Sequence, residues 1–379
     1  MTYYPARAVV DLDAISANVT RLAEIARTAQ VMAVVKGDGY GHGLLPAARA
    51  ALRGGATWLG AAQLSEALAL REAGITAPIL TWLYAPGAPL AQVLRAGIDV
   101  SVPAPWALTE VAAAARATGT TARVHLKVDT GLGRGGSFLE DWTAMLADAM
   151  ALQAGGVLSV VGVWSHLARA DELDHPSVRD QLDVFAEAVR RAENAGAALE
   201  VRHLANSAGT LAVPDAHYDL VRPGIAAYGL SPMPGTRPSD DVGLVPAMRL
   251  EANVHLVKDA AAGQGVSYGH TYTTATDTSL AVIPLGYADG IPRHAGNTAP
   301  VFLGGRRHQI AGRVCMDQFV LDIGRGSGVH AGDVAVLFGS GAEGEPTAQD
   351  WAEAAGTISY EIVTRLGTRV PRVYRGEGG

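Results

Sequence analysis

Regular patterning starts near residue 15, where Ile15, Val19, Leu22 and Ile25 recur at helical spacing behind Asp13, which reads as the N-cap of a first helix. An apolar run from Val31 to Val35 then reads as a strand, and it stops at Lys36. Beyond it, short apolar or β-branched runs alternate with amphipathic stretches. Strands are expected near 58–61, 78–84, 99–102, 123–128, 158–164, 201–204 and 218–221. Helices are expected near 44–52, 65–73, 106–117, 139–152 and from Ser177, where Val178, Leu182, Phe185 and Val189 share a face before Gly196. With the strand ending at Lys36 the count is eight strands, mostly separated by helices. That is the pattern of a parallel α/β barrel of the (β/α)8 TIM type.

The pattern changes after Leu230. Ser231 to Gly243 carries three prolines, two glycines and two adjacent aspartates, which reads as a linker. Beyond it β-type runs dominate, at 250–257, 280–285, 309–314, 319–323 and 334–338, with helices only near 349–355 and 359–366. The expected organisation is a leading strand over 1–12 that packs with the β domain, a barrel over 13–230, a linker over 231–243 and a C-terminal mostly-β domain over 244–379.

Composition narrows the function. Of 379 residues, 49% are hydrophobic and 18% charged, which fits a folded globular chain long enough for two domains. Thirty basic and 37 acidic residues leave a formal charge of −7 with no basic run, so neither nucleic acid nor a membrane is an expected partner. The lone cysteine, Cys315, cannot form an internal disulfide, and the N-terminus lacks the basic and apolar regions of a secretory signal. A cytoplasmic location is expected. No His/Cys cluster has metal-ligand spacing, so no metal is expected.

The barrel reading locates the chemistry, because such barrels work at the C-terminal ends of their strands. Lys36 ends the first strand, Arg134 follows the fifth, His166 ends the sixth, Asn206 and Ser207 end the seventh, and Arg222 ends the eighth. Lys36 opens a loop with four glycines in seven positions, Gly37 to Gly43, which lets backbone or ligand approach closely. A desolvated lysine there could form a Schiff base, whereas an isolated Lys-Gly pair reads as a solvated turn. On the fifth strand His125, Lys127 and Asp129 alternate with Val124, Leu126 and Val128, so the polar set should face the barrel interior.

Several segments together resemble the alanine racemase family. They are Ala33 to Gly43 (AVVKGDGYGHG), Lys127 to Arg134 (KVDTGLGR), Asn206-Ser207-Ala208, Arg222-Pro223-Gly224-Ile225, Val266-Ser267-Tyr268-Gly269, Gly286 to Gly290 (GYADG), Gly312 to Gln318 (GRVCMDQ) and Ile358-Ser359-Tyr360-Glu361. Their order and spacing span nearly the whole chain. The resemblance implies an isomerase that uses pyridoxal 5′-phosphate (PLP) to interconvert L- and D-alanine and supplies D-alanine for peptidoglycan.

The resemblance also implies roles. Lys36 would carry PLP and act as one base, and Tyr268 as the other, because racemisation needs an acid/base group on each face of the substrate. An ordinary phenol ionises near ~10 and is a weak base at neutral pH. The resemblance therefore sets Arg134 beside Tyr268, where it would also hold the substrate carboxylate. Arg222 would face the pyridine nitrogen, which a guanidinium cannot protonate through loss of a bound proton at neutral pH. His166 would support Arg222. Tyr40, Tyr360, Ser207, Asn206 and the backbone N–H groups of Gly224 and Ile225 would hold the phosphate, although Ser207 also reads as a helix N-cap. In some family members the lysine that matches Lys127 is carbamylated, which would turn it into an anion that pairs with Arg134; whether Lys127 is so modified is left open by the sequence. Tyr268, Tyr287, Met316 and Asp317 would enter the site of the other subunit of a homodimer, while Tyr268 alone reads equally as a surface aromatic.

Two other classes share parts of this pattern. PLP-dependent amino-acid decarboxylases place a carboxylate where this chain has Arg222, and small PLP-binding barrel proteins lack the β domain that carries Tyr268 and Met316. A racemase of broader small amino-acid specificity is a nearer alternative, since one methyl group discriminates by only about 1–3 kcal/mol.

Overall fold

The computed structural model describes residues 4–172 and 174–377, so the first three residues of the expected 1–12 segment lie outside it. The chain opens with strand β1 (Ala6–Asp11) and helix α1 (Leu12–Ala26). Asp11, rather than Asp13, caps this helix: its Oδ1 accepts from the N–H groups of Asp13 and Ala14. The helix starts one turn-position earlier than its apolar spacing suggested because Leu12 is itself buried. The chain divides into two compact units, one formed by residues Ile15–Gly39 and Ala47–Leu244, the other by the chain up to Ala14, Tyr40–Pro46 and the chain from Val245 onward.

The first unit is the barrel. Its strands are β2 (Gln30–Val34), β3 (Trp58–Gln63), β4 (Ile79–Leu83), β5 (Asp99–Val102), β6 (Ala122–Lys127), β7 (Leu158–Trp164), β8 (Val201–His203) and β9 (Leu220–Val221). All pair in parallel, in the order β8-β7-β6-β5-β4-β3-β2-β9. The backbone N–H of Asp219 donates to the Arg202 carbonyl, and that of Arg222 to the Ala205 carbonyl, which closes the ends of the series. Helices α2 (Leu44–Arg53), α3 (Leu64–Glu72), α4 (Leu90–Arg95), α5 (Pro105–Thr118), α6 (Leu139–Ala154), α7 (Pro176–Asn194) and α8 (Ser207–Ala212) supply the connections. Helix α4 was not expected from the sequence. Its Leu90, Val93 and Leu94 bury one face, but six residues are too few to show a helical period. Inside the barrel, Met32, Trp58, Leu80, Val201 and Leu220 form an apolar cluster with Trp82 against it.

The second unit is mostly β. A six-stranded sheet runs β16-β15-β18-β10-β1-β19, and a three-stranded sheet runs β11-β14-β17. The strands are β10 (Met248–Asn253), β11 (Leu256–Ala260), β12 (Gly265–Val266), β13 (Tyr272–Thr273), β14 (Thr278–Ile283), β15 (Pro300–Leu303), β16 (Arg306–Gln309), β17 (Phe319–Asp322), β18 (Val334–Phe338) and β19 (Arg372–Arg375). Helices α9 (Ala348–Ala355) and α10 (Ser359–Thr364) complete it. Strand β1 lies between β10, antiparallel, and β19, parallel, with Ala6, Ala8 and Val10 buried. Of the expected strand at 309–314 only Gln309 lies in one, as the last residue of β16, and a single isolated bridge from Ile310 to Leu321 follows it. Gly312, at φ +85°, turns the chain there.

Candidate active site

Lys36 follows β2 after one intervening residue, Val35, and the residues beyond Lys36 form a left-handed turn. Gly37, Asp38 and Gly39 lie near φ/ψ 62/47, 54/48 and 61/43, and Tyr40 has φ 53. Glycine tolerates this region, whereas Asp38 and Tyr40 are each disfavoured by roughly 1–2 kcal/mol. Glu66 of α3 offsets part of that cost. One carboxylate oxygen accepts from Gly37 N–H at 2.7 Å and Asp38 N–H at 3.3 Å, while the other accepts from Gln63 N–H at the start of α3. Glu66 was not singled out from the sequence. The signal was its position three residues after Gln63, a capping-box spacing.

Lys36 is half-buried, and its amine sits below the ordinary lysine range. Burial is the main cause, followed by repulsion from Arg134; Glu66 opposes the shift and Arg222 adds to it. Lys127 shares this environment. Burial, then Arg134 and Arg222, push its pKa down to about 8, and its Nζ lies 4.4 Å above the centre of the Trp164 ring. The polar face of β6 points inward as the alternation suggested. Its third member, Asp129, builds a loop: Oδ1 accepts from the N–H groups of Gly131 and Gly133, and Oδ2 accepts from Arg134 N–H at 2.9 Å. That carboxylate therefore shapes the segment that presents Arg134.

Arg222 is buried, and its guanidinium has four acceptors. Nη2 donates to the carbonyls of Ser165 at 2.6 Å and Leu204 at 3.0 Å, and Nη1 to His203 Nδ1 at 3.2 Å. The expected contact with His166 is the longest, 3.5 Å from Nη2 to Nδ1. The principal support thus comes from two backbone carbonyls and His203, which the sequence reading had not named. No carboxylate touches the guanidinium among the described residues. Burial pushes Arg222 down to about 9, which leaves it charged at neutral pH. Burial, and then Arg222, hold His166 well below the ordinary histidine range, so its ring is neutral.

Asn206 and Ser207 divide the tasks the sequence had left open. Asn206 is the cap of α8, accepting from Gly209 N–H at 2.9 Å. Ser207 Oγ accepts from Gly224 N–H at 2.9 Å and Ala226 N–H at 3.3 Å, which brings the Arg222–Ile225 segment to the start of α8. Accepting twice leaves the serine hydroxyl hydrogen to donate.

In the β unit, Tyr40 is buried near Tyr360, with ring centroids 6.3 Å apart. Burial, reinforced by Tyr360, pushes the Tyr40 phenol up, so it stays a donor. Three further loops are stitched together. Tyr287 and Ala288 donate their N–H groups to the carbonyls of Cys315 and Met316, and Ser267 Oγ donates to Arg313 O. Gly286 permits this, because a Cβ there would stand 2.3 Å from both Cys315 O and Met316 O. The loops carry Tyr268, Tyr287 and Met316, which are 72%, 44% and 53% exposed, well above what large apolar side chains usually show. Asp317 accepts from Arg369, which also donates to buried Asp289. His270, which had no assigned role, packs its ring over Gly265, beside the Tyr268 turn.

A parallel barrel that gathers a depressed lysine, two arginines and a neutral histidine at one strand-end rim, in a chain with a separate β unit, has the site of a barrel enzyme, cationic and suited to an anionic ligand. Residues 10–232 match the family model for the alanine racemase N-terminal domain, and residues 247–374 that for its C-terminal domain. An alanine racemase of Beutenbergia cavernae is 69% identical over 373 residues, covering 98% of each chain, and one of Frankia casuarinae is 60% identical, covering 97% of this chain and 95% of the relative. The crystal structure of alanine racemase from D-cycloserine-producing Streptomyces lavendulae superposes with a TM-score of 0.98 at 53% identity, covering 99% of this chain and 98% of that one. The chain belongs to the alanine racemase family. It is an isomerase that racemises alanine.

Proposed function

We propose that racemisation here uses PLP and two bases, Lys36 and Tyr268 of the partner subunit, in a homodimer. The observation that carries this reading is the cluster of Lys36, Lys127, Arg134 and Arg222, in which burial first, and then repulsion from the arginines, lowers both lysines. Asp129, the nearest acidic group acting on Lys127, is occupied by its loop's N–H groups. Such a cluster suits an anionic ligand, and a phosphate-bearing cofactor with an amino-acid carboxylate supplies the negative charge. PLP, when bound, provides an electron sink that acidifies the substrate α-carbon.

The residues then divide the work. Lys36 would hold the cofactor, and its Nζ, once freed, would take or return the α-proton on one face of the substrate. A depressed pKa provides the neutral amine this needs. Tyr268 Oη of the partner subunit takes or returns the proton on the other face. Arg134 holds the substrate carboxylate, and Tyr287, Met316 and Asp317 of the partner subunit complete the substrate pocket, which explains why these apolar side chains stand exposed in one protomer. Arg222 would hold the cofactor at its ring nitrogen, and as a guanidinium that keeps its own proton it would leave that nitrogen largely neutral, which would favour proton return over side reactions; His166 lies beside Arg222. Tyr40, Tyr360, Asn206, Ser207 and the backbone of Gly224 and Ile225 hold the phosphate. The product supplies D-alanine for peptidoglycan in the cytoplasm; no helix among the described residues is long and apolar enough to cross a membrane.

The test is α-proton exchange of L-alanine in D2O, with chiral separation of the product. Deuterated D-alanine is expected from the native enzyme. Lys36→Ala should abolish both exchange and the PLP-dependent visible absorbance, and Tyr268→Phe should slow racemisation by about 10²-fold or more. Unchanged turnover in Tyr268→Phe would refute the two-base assignment.

A further inference from the structure

Four buried polar groups run in single file through the barrel. Arg222 Nη1 meets His203 Nδ1 at 3.2 Å, His203 Nε2 meets His125 Nδ1 at 2.8 Å, and His125 Nε2 meets Asp99 Oδ2 at 3.3 Å. They come from the region after β9 and from β8, β6 and β5. Past Asp99 the chain reaches the surface: Arg123 donates to both Asp99 oxygens, at 3.0 and 3.2 Å, and to Glu200 at 2.8 and 2.9 Å. We propose that Asp99 is a positioning residue for Arg222, acting through a one-way hydrogen-bond relay in which His203 and His125 are both held as neutral Nε2–H tautomers.

The tautomers follow from counting protons. A guanidinium has donors only, so His203 Nδ1 must offer a lone pair. The neutral ring then carries its hydrogen on Nε2 and donates it to His125 Nδ1. His125 in turn carries its hydrogen on Nε2, which points at the Asp99 carboxylate, an obligatory acceptor. Reasoning from either end gives the same two tautomers, so every donor in the file meets an acceptor. Reversing His203 would set N–H against N–H beside Arg222, and reversing His125 alone would do so between the two rings.

The surroundings are shaped for these rings. Trp164 stacks on His203 with ring centroids 5.6 Å apart and planes 6° apart, and donates its Nε1–H to Ser101 Oγ at 2.9 Å. Trp58 meets His125 edge-on at 5.6 Å. Gly162 of β7 leaves the space His125 occupies, since a Cβ there would lie 2.4 Å from Nδ1. Both histidines are fully buried beside an apolar core that hydrocarbon could have continued. Burial, with Arg222 next, holds His203 well below the ordinary range and so in the neutral form the relay needs. Asp99 supplies the charge complementary to Arg222 from two imidazoles away, which keeps a carboxylate off the guanidinium itself. A similar logic orients the histidine of a catalytic triad, where replacing the aspartate by asparagine permits the wrong tautomer.

The consequence for Arg222 rests on its proposed place at the cofactor ring, whereas the tautomers do not. The experiment is nitrogen NMR of 15N-histidine-labelled holoenzyme, with single variants for assignment, alongside kcat, KM and the visible spectrum of the bound cofactor. Native His203 and His125 should both show Nε2–H and bare Nδ1. In Asp99→Asn the carboxylate that fixes the far end is gone and an amide NH2 can face His125 Nε2, so only Arg222 still favours the native tautomers and part of the His203 hydrogen should move to Nδ1. The cofactor band should shift, and kcat should fall by about 10- to 100-fold, with KM for alanine within about 2-fold, as when outer hydrogen-bond partners are removed. Arg123→Gln, which leaves the Asp99–His125 bond, should keep the native tautomers and kcat. A native His203 with Nδ1–H, or an equal loss of kcat in Arg123→Gln, would overturn the relay. The native measurement needs no variant to fold. Absence of α-proton exchange in the native enzyme would overturn the assigned purpose at Arg222 separately.

Discussion

With its pKa at about 8, Lys127 has a neutral amine in roughly one molecule in ten at pH 7, against about 0.03% for an ordinary lysine. That is about a 300-fold enrichment of the only form that can attack carbon dioxide. Attack of the amine nitrogen on the carbon, with loss of one N–H proton, would give a carbamate anion. It would turn the repulsion from Arg134 and Arg222, the causes of the shift after burial, into attraction. The native enzyme, equilibrated with 13C-bicarbonate near neutral pH, should show a carbamate carbon signal that disappears in Lys127→Met and on acidification. Purging carbon dioxide should lower turnover, and bicarbonate should restore it. A carbamate signal that persists in Lys127→Met, or none at saturating bicarbonate, would refute the reasoning.

Asp129→Ala removes the acceptor of three backbone N–H groups; hydrogen bonds to a charged group contribute about 1.5–3 kcal/mol each, so the loop should loosen and KM for alanine should rise through Arg134, as steady-state kinetics would show. Gly286→Ala places a Cβ against two carbonyl oxygens and should lower stability by about 1–3 kcal/mol in denaturant unfolding, with racemisation falling as the Tyr287 and Met316 loops part. For His203, the native ring resists protonation while the unfolded one binds a proton near ~6.5. The unfolded state then holds more protons, so stability falls as pH drops below about 6.5, with a slope approaching ~1.4 kcal/mol per pH unit. Urea titrations from pH 7.5 to 5 should show that slope reduced in His203→Gln, and an unchanged slope would exclude His203 as its source.

The barrel was legible because each of its strands is a short apolar run and the polar residues that interrupt the runs fall at one rim. Lys36 stood out for the glycines after it, and the left-handed turn explains why two of them are there. The supports of the site were less visible. Glu66, His203 and Asp99 hydrogen-bond groups 19 to 29 positions away, and the His125–His203 contact spans 78. No local period marks such pairs; each residue alone reads as part of a strand or a helix start. The alternation on β6 did show that His125 faces inward, without revealing what it meets. Helix α4 and the turn at Gly312 were hidden for a different reason, since neither runs long enough to complete a pattern.

Strand β1 has consequences for how the β unit is made. Its neighbours in the sheet are β10 and β19, and the Arg375–Asp11 ion pair joins positions 364 apart. During synthesis β1 leaves the ribosome with Ala6, Ala8 and Val10 ready for burial long before either flanking strand, β10 or β19, has been made. Both pairings are long-range, so a nascent chain carries β1 unpaired until the β unit that follows the barrel emerges. β19 runs parallel to β1, so its end meets the end of β1 rather than the start, and Glu377 N–H donates to Asp13 at 3.0 Å. A peptide joining β19 directly to β1 would have to retrace the length of the strand, about 20 Å, so their pairing is a crossover and cannot become a hairpin.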